Sequence, residues 1–318
     1  MKPIISICIP CCKRLEYIRK TLDSIYNTNS EVSLCEYEVI ISDNDEEEEL
    51  SILKEEYGQN NFHYYNTKCV GFMNSFYSLT YGQGEYLLLH NSQELLKKGS
   101  LRYIIDLVKS NREKYLFFSS GFLLNGKNKT YSDFDSFMKN VSYWSSWSNA
   151  FGIWRTDFEK VKDAISLNEL FPHTSLLITQ YYHKGYLVCD VPLFETQFVK
   201  GRSGHNKFHA FSYEYPSIVD YTYKQGHITD KTRDKILKDI LYDYLPLLYF
   251  NVKLAKRESW SSDGFEKDLE VYYPKRSFTL IKLLSIISPI KVYMRKVRRK
   301  WNSYSPCQGI RYGSNDDK

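Results

Sequence analysis

Ile4-Ile5-Ser6-Ile7-Cys8-Ile9-Pro10 and, one helix later, Tyr37-Glu38-Val39-Ile40-Ile41-Ser42-Asp43 are the stretches that decide the fold. Each is a short apolar run bounded by turn residues, the signature of a strand buried on both faces. Between them Leu15, Ile18, Leu22 and Ile25 recur at helical spacing and predict a helix over 15–26. A strand, a helix and a second strand make a parallel pair joined by a crossover. The second strand ends on a carboxylate, and open α/β sheets bind ligands beyond the carboxyl ends of their strands. Asp43 is therefore a candidate ligand-binding residue, its plainer alternative being a cap on the segment that follows.

The same alternation continues outward. The acidic run Asp45–Glu49 reads as the start of another helix, residues 63–65 as a short strand, and 72–81 as a helix. Strand 86–89, helix 100–109 and strand 115–119 complete the first half. This predicts an α/β chain with a mostly parallel sheet flanked by helices, the doubly wound class. Polar residues follow the strands: Arg14, Asp43, Asn66, Lys68, Asn91 and Ser92, which one cleft could gather. In the second half, Phe171-Pro172-His173-Thr174 opens a helix through Tyr182 that Gly185 is placed to end. Lys200–Lys207 is a basic, glycine-containing loop, and 231–256 reads as helix kinked or divided at Pro246. Residues 278–300 form a basic amphipathic tail.

Composition limits the function classes. The formal charge is +5, but Lys291, Arg295, Lys296, Arg298, Arg299 and Lys300 sit together without an acid, so the remainder is nearly neutral. That argues against a nucleic-acid-binding face. Of the 7 cysteines, Cys8 and Cys11 form a C-x-x-C pair. Cys8 lies inside an apolar strand, so reduced thiols in a cytosolic protein are expected rather than redox chemistry. Met1-Lys2-Pro3 does not read as a secretory leader, and the apolar run Phe278–Ile290, broken by Lys282 and Pro289, reads as too short to span a bilayer. Gly121 through Gly126-Lys127-Asn128 lacks the Ser or Thr of a phosphate loop, and Gly82-Gln83-Gly84 lacks the third glycine of a dinucleotide fingerprint.

The stretches ISICIPCCKRLEYIRKTLDSI, YEVIISDN, VGFMNSFYSLTYGQGEYLLL and FPHTSLL resemble family 2 glycosyltransferases of the GT-A fold. Within that family the chain is most similar to abequosyltransferase-type enzymes of O-antigen assembly, where a Pro-His pair also occurs in the second half. The resemblance implies a GT-A domain over 1–225, with a nucleotide-sugar half 1–120 and an acceptor half 121–225, and a helical extension over 226–318. It places Pro10, Arg14, Asp43 and Asn44 in the donor-nucleotide pocket, with Asn91 on the turn beside it. Lys68, Gly71 and Asn74 match the segment that closes over the nucleotide.

The family carries an Asp-x-Asp after the strand 86–89, whose carboxylates serve a divalent cation, Mg or Mn, on the donor diphosphate. Counting back from Gly99, this chain has Ser92-Gln93-Glu94, which leaves Glu94 as the acid for a metal. That departure leaves three alternatives open: a weakened metal site using Glu94, metal-independent transfer, or loss of catalysis. Lys68 and Arg202 are the candidates to supply positive charge to the leaving group. His173 matches the position where many members carry an acidic base, with Asp190 in reserve. Tyr143, Trp144, Trp147 and Asn149 form an aromatic-polar cluster suited to stacking a sugar, or to packing a core. The implied activity is inverting transfer from a nucleotide-sugar to a saccharide acceptor, lipid-linked, in surface polysaccharide or lipopolysaccharide biosynthesis. The tail 278–300 would rest on an anionic membrane surface from the cytoplasmic side, making the protein peripheral. The alternative is a non-catalytic GT-A-like nucleotide-sugar-binding or scaffold protein.

Overall fold

In the computed structural model, which describes residues 2–197 and 205–304, the two deciding stretches are the adjacent strands β1 (Ile5–Cys11) and β2 (Tyr37–Asp43). They pair in parallel from Ile5–Tyr37 to Cys11–Asp43. With β3 (Phe62–Asn66), β4 (Tyr86–Leu89) and β8 (Gly152–Trp154) they make a five-stranded sheet of order β3-β2-β1-β4-β8. The first four strands run parallel, and β8 is antiparallel to β4. Alternate residues feed two cores, as strand geometry requires. Ile7, Ile9, Val39, Ile41 and Leu88 face one side, while Cys8, Ile40, Leu87 and Leu89 face the other.

Two backbone approaches hold the strand ends in register. A Cβ on Gly84 would lie 2.7 Å from the Ile5 carbonyl carbon and the Ser6 nitrogen, so only glycine lets β4 begin this close to β1. There the buried Glu38 carboxylate accepts from Ser6 Oγ at 2.5 Å and from the Gly84 amide at 3.0 Å. At the other edge a Cβ on Gly152 would meet the Tyr86 ring at 2.4 Å.

Several elements differ from the sequence reading. The acidic run gives a 3₁₀ turn, Glu49–Ile52, before a short helix Leu53–Glu56, since Asp45 and Glu47 are drawn to Lys13 Nζ at 3.7 and 3.0 Å. The strand expected over 115–119 exists as β6 (Tyr115–Phe118) but leaves the main sheet. It pairs parallel with β9 (Tyr186–Cys189), which is also flanked by the antiparallel β7 (Asn128–Tyr131). The edge that β6 would have taken is filled by β8. A two-stranded ribbon, β5 (Glu94–Leu96) with β10 (Phe194–Thr196), follows β4. The helix opened by Pro172 ends at Ile178 rather than Tyr182, because the Thr179 hydroxyl and the Thr179 amide both close onto the Leu176 carbonyl.

The C-terminal helices belong to the same core as the sheet. The cluster holding Cys8 and Leu87 continues through Phe151, Phe171 and Leu176 to Leu245, Leu248 and Ile281. Prolines here do not break helices. Pro216 follows a π-helical segment, Ala210–Glu214, and Pro246 follows another, Ile240–Tyr244. A wide turn absorbs the amide that proline lacks, so the expected division at Pro246 is a local widening. The last helix, Ser277–Tyr304, runs through Pro289 and is longer than the apolar run suggested. Its portion Ser277–Arg299 is long and apolar enough to cross a membrane by length and composition alone.

Candidate active site

A cavity of about 890 Å³ lies beyond the carboxyl ends of β1, β2 and β4. It gathers Pro10, Arg14, Asn44, Gly71, Asn74, Asn91, Ser92, Gln93 and His173 from the sequence-derived set. Its far wall is aromatic and charged: Tyr143, Trp144, Trp147, Phe211, Tyr244, Asp243 and Arg295.

At the end of β1 the backbone turns through two left-handed non-glycine residues, Lys13 and Arg14, with φ of 58° and 67°. Such strain persists where surrounding contacts impose it, and here the Lys13 ammonium is held by Glu47. The turn presents Arg14 at the cavity as the residue before helix Leu15–Tyr26. Its guanidinium is exposed and makes no hydrogen bond among the described residues. Asn74 is built in differently. Its Nδ2 donates to the Cys11 and Ser42 carbonyls at 3.1 and 2.7 Å, and its Oδ1 accepts from Ser42 Oγ at 2.6 Å. It therefore clamps the ends of β1 and β2 to helix Asn74–Tyr81. Gly71, with φ of 56°, forms the lip beside Phe72, whose ring meets His205 edge-on at 4.7 Å.

Three members of the set stand off the wall. Asp43 is fully buried: Oδ2 accepts from Tyr64 Oη at 2.7 Å and Oδ1 from the Asp45 amide at 3.0 Å. Burial raises its pKa, opposed by these two donors. Lys68 is exposed and does not line the cavity. Glu94 is buried on β5, where both carboxylate oxygens accept from Thr196 Oγ1 at 2.9 Å. Arg202 lies outside the described residues. The reserve base Asp190 is also buried away from the cavity, accepting from Ser119 Oγ at 2.7 Å and from the amides of Leu123, Asn125 and Gly126. It organises the loop after β6.

His173 lies in the cavity wall on helix Pro172–Ile178. Its Nε2 stands 2.8 Å from the Ser146 carbonyl oxygen, which can only accept, so the proton is on Nε2. That tautomer leaves the Nδ1 lone pair unprotonated, and Nδ1 is buried with no hydrogen-bond partner among the described residues. Burial lowers the ring pKa to about 4, so the imidazole is neutral near pH 7. A proton arriving at Nδ1 would be partly stabilised by the Ser146 carbonyl, which bonds a charged donor more strongly.

Opposite the strand ends, Arg295 bonds the Asp243 carboxylate at 2.5 Å, and Tyr143 Oη donates to the same oxygen at 2.7 Å. Trp144 and Trp147 pack on Phe122 at 4.8 and 4.6 Å. Asn149 lies behind them, its Oδ1 accepting from the Asn91 amide at 2.7 Å. Asp243, Tyr244, Phe211 and Arg295 were not found from the sequence. They come from helices far along the chain, and Arg295 lies within the basic tail that the sequence reading assigns to a membrane surface.

The sequence pattern that defines glycosyl transferase family 2 matches residues 6–176, just over half of the chain. The chain belongs to glycosyl transferase family 2. Its GT-A fold is shared with residues 1–349 of TarS from S. aureus, at a TM-score of 0.55 and 16% identity over 98% of this chain and 93% of that one. The complex of the same TarS fragment with UDP-GlcNAc gives 0.58 and 16%, over 95% and 89%. The mannosyltransferase PcManGT from Pyrobaculum calidifontis, in complex with GDP-Man and Mn2+, gives 0.50 and 10%, over 96% and 88%. No curated protein sequence matches the chain.

For this family 2 glycosyltransferase the metal question turns on donor chemistry. A divalent cation is compatible with the chain, since carboxylate oxygens of Asp45, Glu47 and Glu49 converge within 4.8 Å. That cluster already surrounds Lys13 Nζ. The turn after β4 presents only Asn91, Ser92 and Gln93 to the cavity, all neutral, while Glu94 faces β10 and Asp243 is paired to Arg295. Hard cations are held by carboxylates, so the residues of this turn do not fit Mg or Mn.

Proposed function

We infer that the protein transfers a sugar, with inversion, from a nucleotide-sugar donor to a hydroxyl of a saccharide acceptor. The observation that carries this reading is His173, which lines the cavity together with the strand-end turn and the aromatic wall and whose Nδ1 has no partner among the described residues. The donor would lie across Pro10, Arg14, Asn44 and the turn Asn91–Gln93. The acceptor would lie against Tyr143, Trp144 and Trp147, whose rings suit the faces of a sugar. His173 Nδ1 takes the hydroxyl proton as the oxygen bonds to the anomeric carbon. The bond from that carbon to the diphosphate breaks, and Arg14 meets the departing negative charge. An imidazole of low pKa is a weak base, and it suffices because the hydroxyl becomes acidic only as the new bond forms.

The finer reading rests on the resemblance in Pro172-His173: an abequosyltransferase-like enzyme of surface polysaccharide or lipopolysaccharide assembly, working at the cytoplasmic face on a lipid-linked acceptor. Under it, 1–120 serves the donor, 121–225 the acceptor, and the extension from 226 completes the acceptor wall.

The neutral strand-end turn favours a second reading, a scaffold that binds nucleotide-sugar without turnover. A thermal-shift panel of uridine, guanosine, cytidine and thymidine diphosphate sugars identifies the donor, because a ligand bound only by the folded state raises the melting temperature. Transfer assays on lipid-linked saccharides follow. Turnover that His173→Ala abolishes supports the enzyme, and tight donor binding with no turnover on any acceptor supports the scaffold.

A further inference from the structure

Leu283, Ile286, Ile287, Ile290, Tyr293, Met294 and Val297 recur three or four residues apart along helix Ser277–Tyr304. This is the spacing of one helix face, and the face is bare: Ile286 is 67% exposed, Ile290 63%, Tyr293 69% and Met294 65%. Soluble surfaces rarely carry a contiguous apolar strip of this kind.

The helix cannot roll to hide the strip, because its other face is fixed. Ser277, Ile281, Ser285 and Ser288 are buried against the body. Arg295 bonds Asp243, and Arg299 donates to the Ser120 carbonyl at 2.9 Å while lying 3.9 Å above the Phe122 ring. Lys291 Nζ donates to the Tyr242 carbonyl at 3.2 Å. These inward bonds also separate this helix from a membrane-spanning one, which would have to abandon them.

Charge identifies the occupant. Arg276, Lys282, Lys296 and Arg298 are exposed beside the strip, and no acidic residue occurs from Lys275 to Tyr304. A second copy presenting the same face would oppose like charges, whereas anionic lipid headgroups would neutralise them. An exposed apolar face rimmed by Lys and Arg, with Tyr at its edge, is the pattern of a helix lying in the membrane interface.

We propose that helix Ser277–Tyr304 docks the protein on an anionic bilayer, with the Leu283–Val297 strip inserted among the acyl chains and its basic flanks on the headgroups. The inner face of the same helix lines the cavity through Arg295, so docking holds the acceptor wall next to the lipid surface. This inference does not depend on catalysis, and its test reads no turnover.

The full chain is sedimented with phosphatidylcholine vesicles with and without phosphatidylglycerol. It should co-sediment with the anionic vesicles and about tenfold less with neutral ones, with the difference reduced in high salt. The pair Ile286→Glu and Ile290→Glu, both at exposed positions, should abolish sedimentation while keeping the circular dichroism spectrum and melting temperature. The pair Lys296→Glu and Arg298→Glu keeps the apolar strip and should lose the preference for phosphatidylglycerol. Failure of the parent to sediment, equal binding to both vesicle types, or unchanged sedimentation of the Ile286/Ile290 variant would overturn the proposal. So would a lipid-free dimer that the same variant dissolves.

Discussion

The two walls of the cavity are built on opposite plans. The strand-end wall is the rim of a parallel sheet, assembled from residues at successive strand ends, and most of its polar atoms are already spent on holding the rim together. Asn74 clamps two strands, Asn91 engages Ser148, and Asp43 serves Tyr64 and its own turn. The facing wall is assembled from residues some hundred positions apart, with rings and an ion pair turned toward the space. A rim of spent polar atoms gives a rigid edge with few free groups, so Arg14 and the neutral turn must do most of any nucleotide recognition. The facing wall turns its rings to the space, while Arg295, Asp243 and the Tyr143 hydroxyl are bonded to one another.

The comparison breaks most readily at His173, which joins the two walls. His173→Ala should lower kcat by about 10²–10⁴-fold while donor affinity in calorimetry stays within about twofold. A parallel loss of donor binding would mean that His173 belongs to the rim instead. Arg14→Ala should raise the donor dissociation constant by about 10–100-fold, the worth of a charge-assisted hydrogen bond to phosphate. The melting temperature should hardly move, because the guanidinium has no hydrogen-bond partner among the described residues. Arg295→Ala should act on the opposite wall, raising the acceptor KM about tenfold and leaving the donor KM unchanged. If both constants rose together, the walls would not be separate.

Stability against pH sharpens the same contrast. His90 and His173 are both buried, each with pKa lowered to about 4 by that burial. The unfolded chain takes up these protons near pH 6.5 and the folded chain only near 4, so the unfolded state binds more protons in between. Stability should therefore fall as pH drops through that window, by about 1.4 kcal/mol per pH unit per ring. Urea titrations at pH 7 and pH 5 measure it, and a flat profile would show that the rings open to water. The smallest expected effect is none: under the proposed function, added chelator should leave transfer unchanged, because the strand-end turn carries no carboxylate toward the donor. A loss of activity restored by Mn2+ would show that carboxylates from elsewhere reach the site.

The difference between the walls also explains what was legible in the sequence. Buried strands and the helix over 15–26 are readable because periodicity is local, and so are the residues just after each strand. The fate of β6 was not, because strands that leave a sheet and strands that stay in it have the same apolar pattern. Nor was the role of Glu94: alternation along a two-stranded ribbon turns its carboxylate to Thr196, and the partner strand lies a hundred residues away. Asp243 and Arg295 meet through tertiary packing alone, so no spacing rule could pair them. Asp43 was read for its carboxylate, and sequence does not reveal that a neighbouring tyrosine already occupies it.

The widened turns before Pro216 and Pro246 matter beyond their prolines, because Ala210, Phe211, Asp243 and Tyr244 all stand within them and all reach the cavity. A π segment is an α-helix with one residue too many. Removing one residue from either turn would restore ordinary winding and rotate those side chains out of the wall by about a quarter turn. Ala210, Phe211, Ile240 and Leu241 of these turns are also buried in the main core, so a single-codon deletion would remodel the cavity wall and the packing beneath it together.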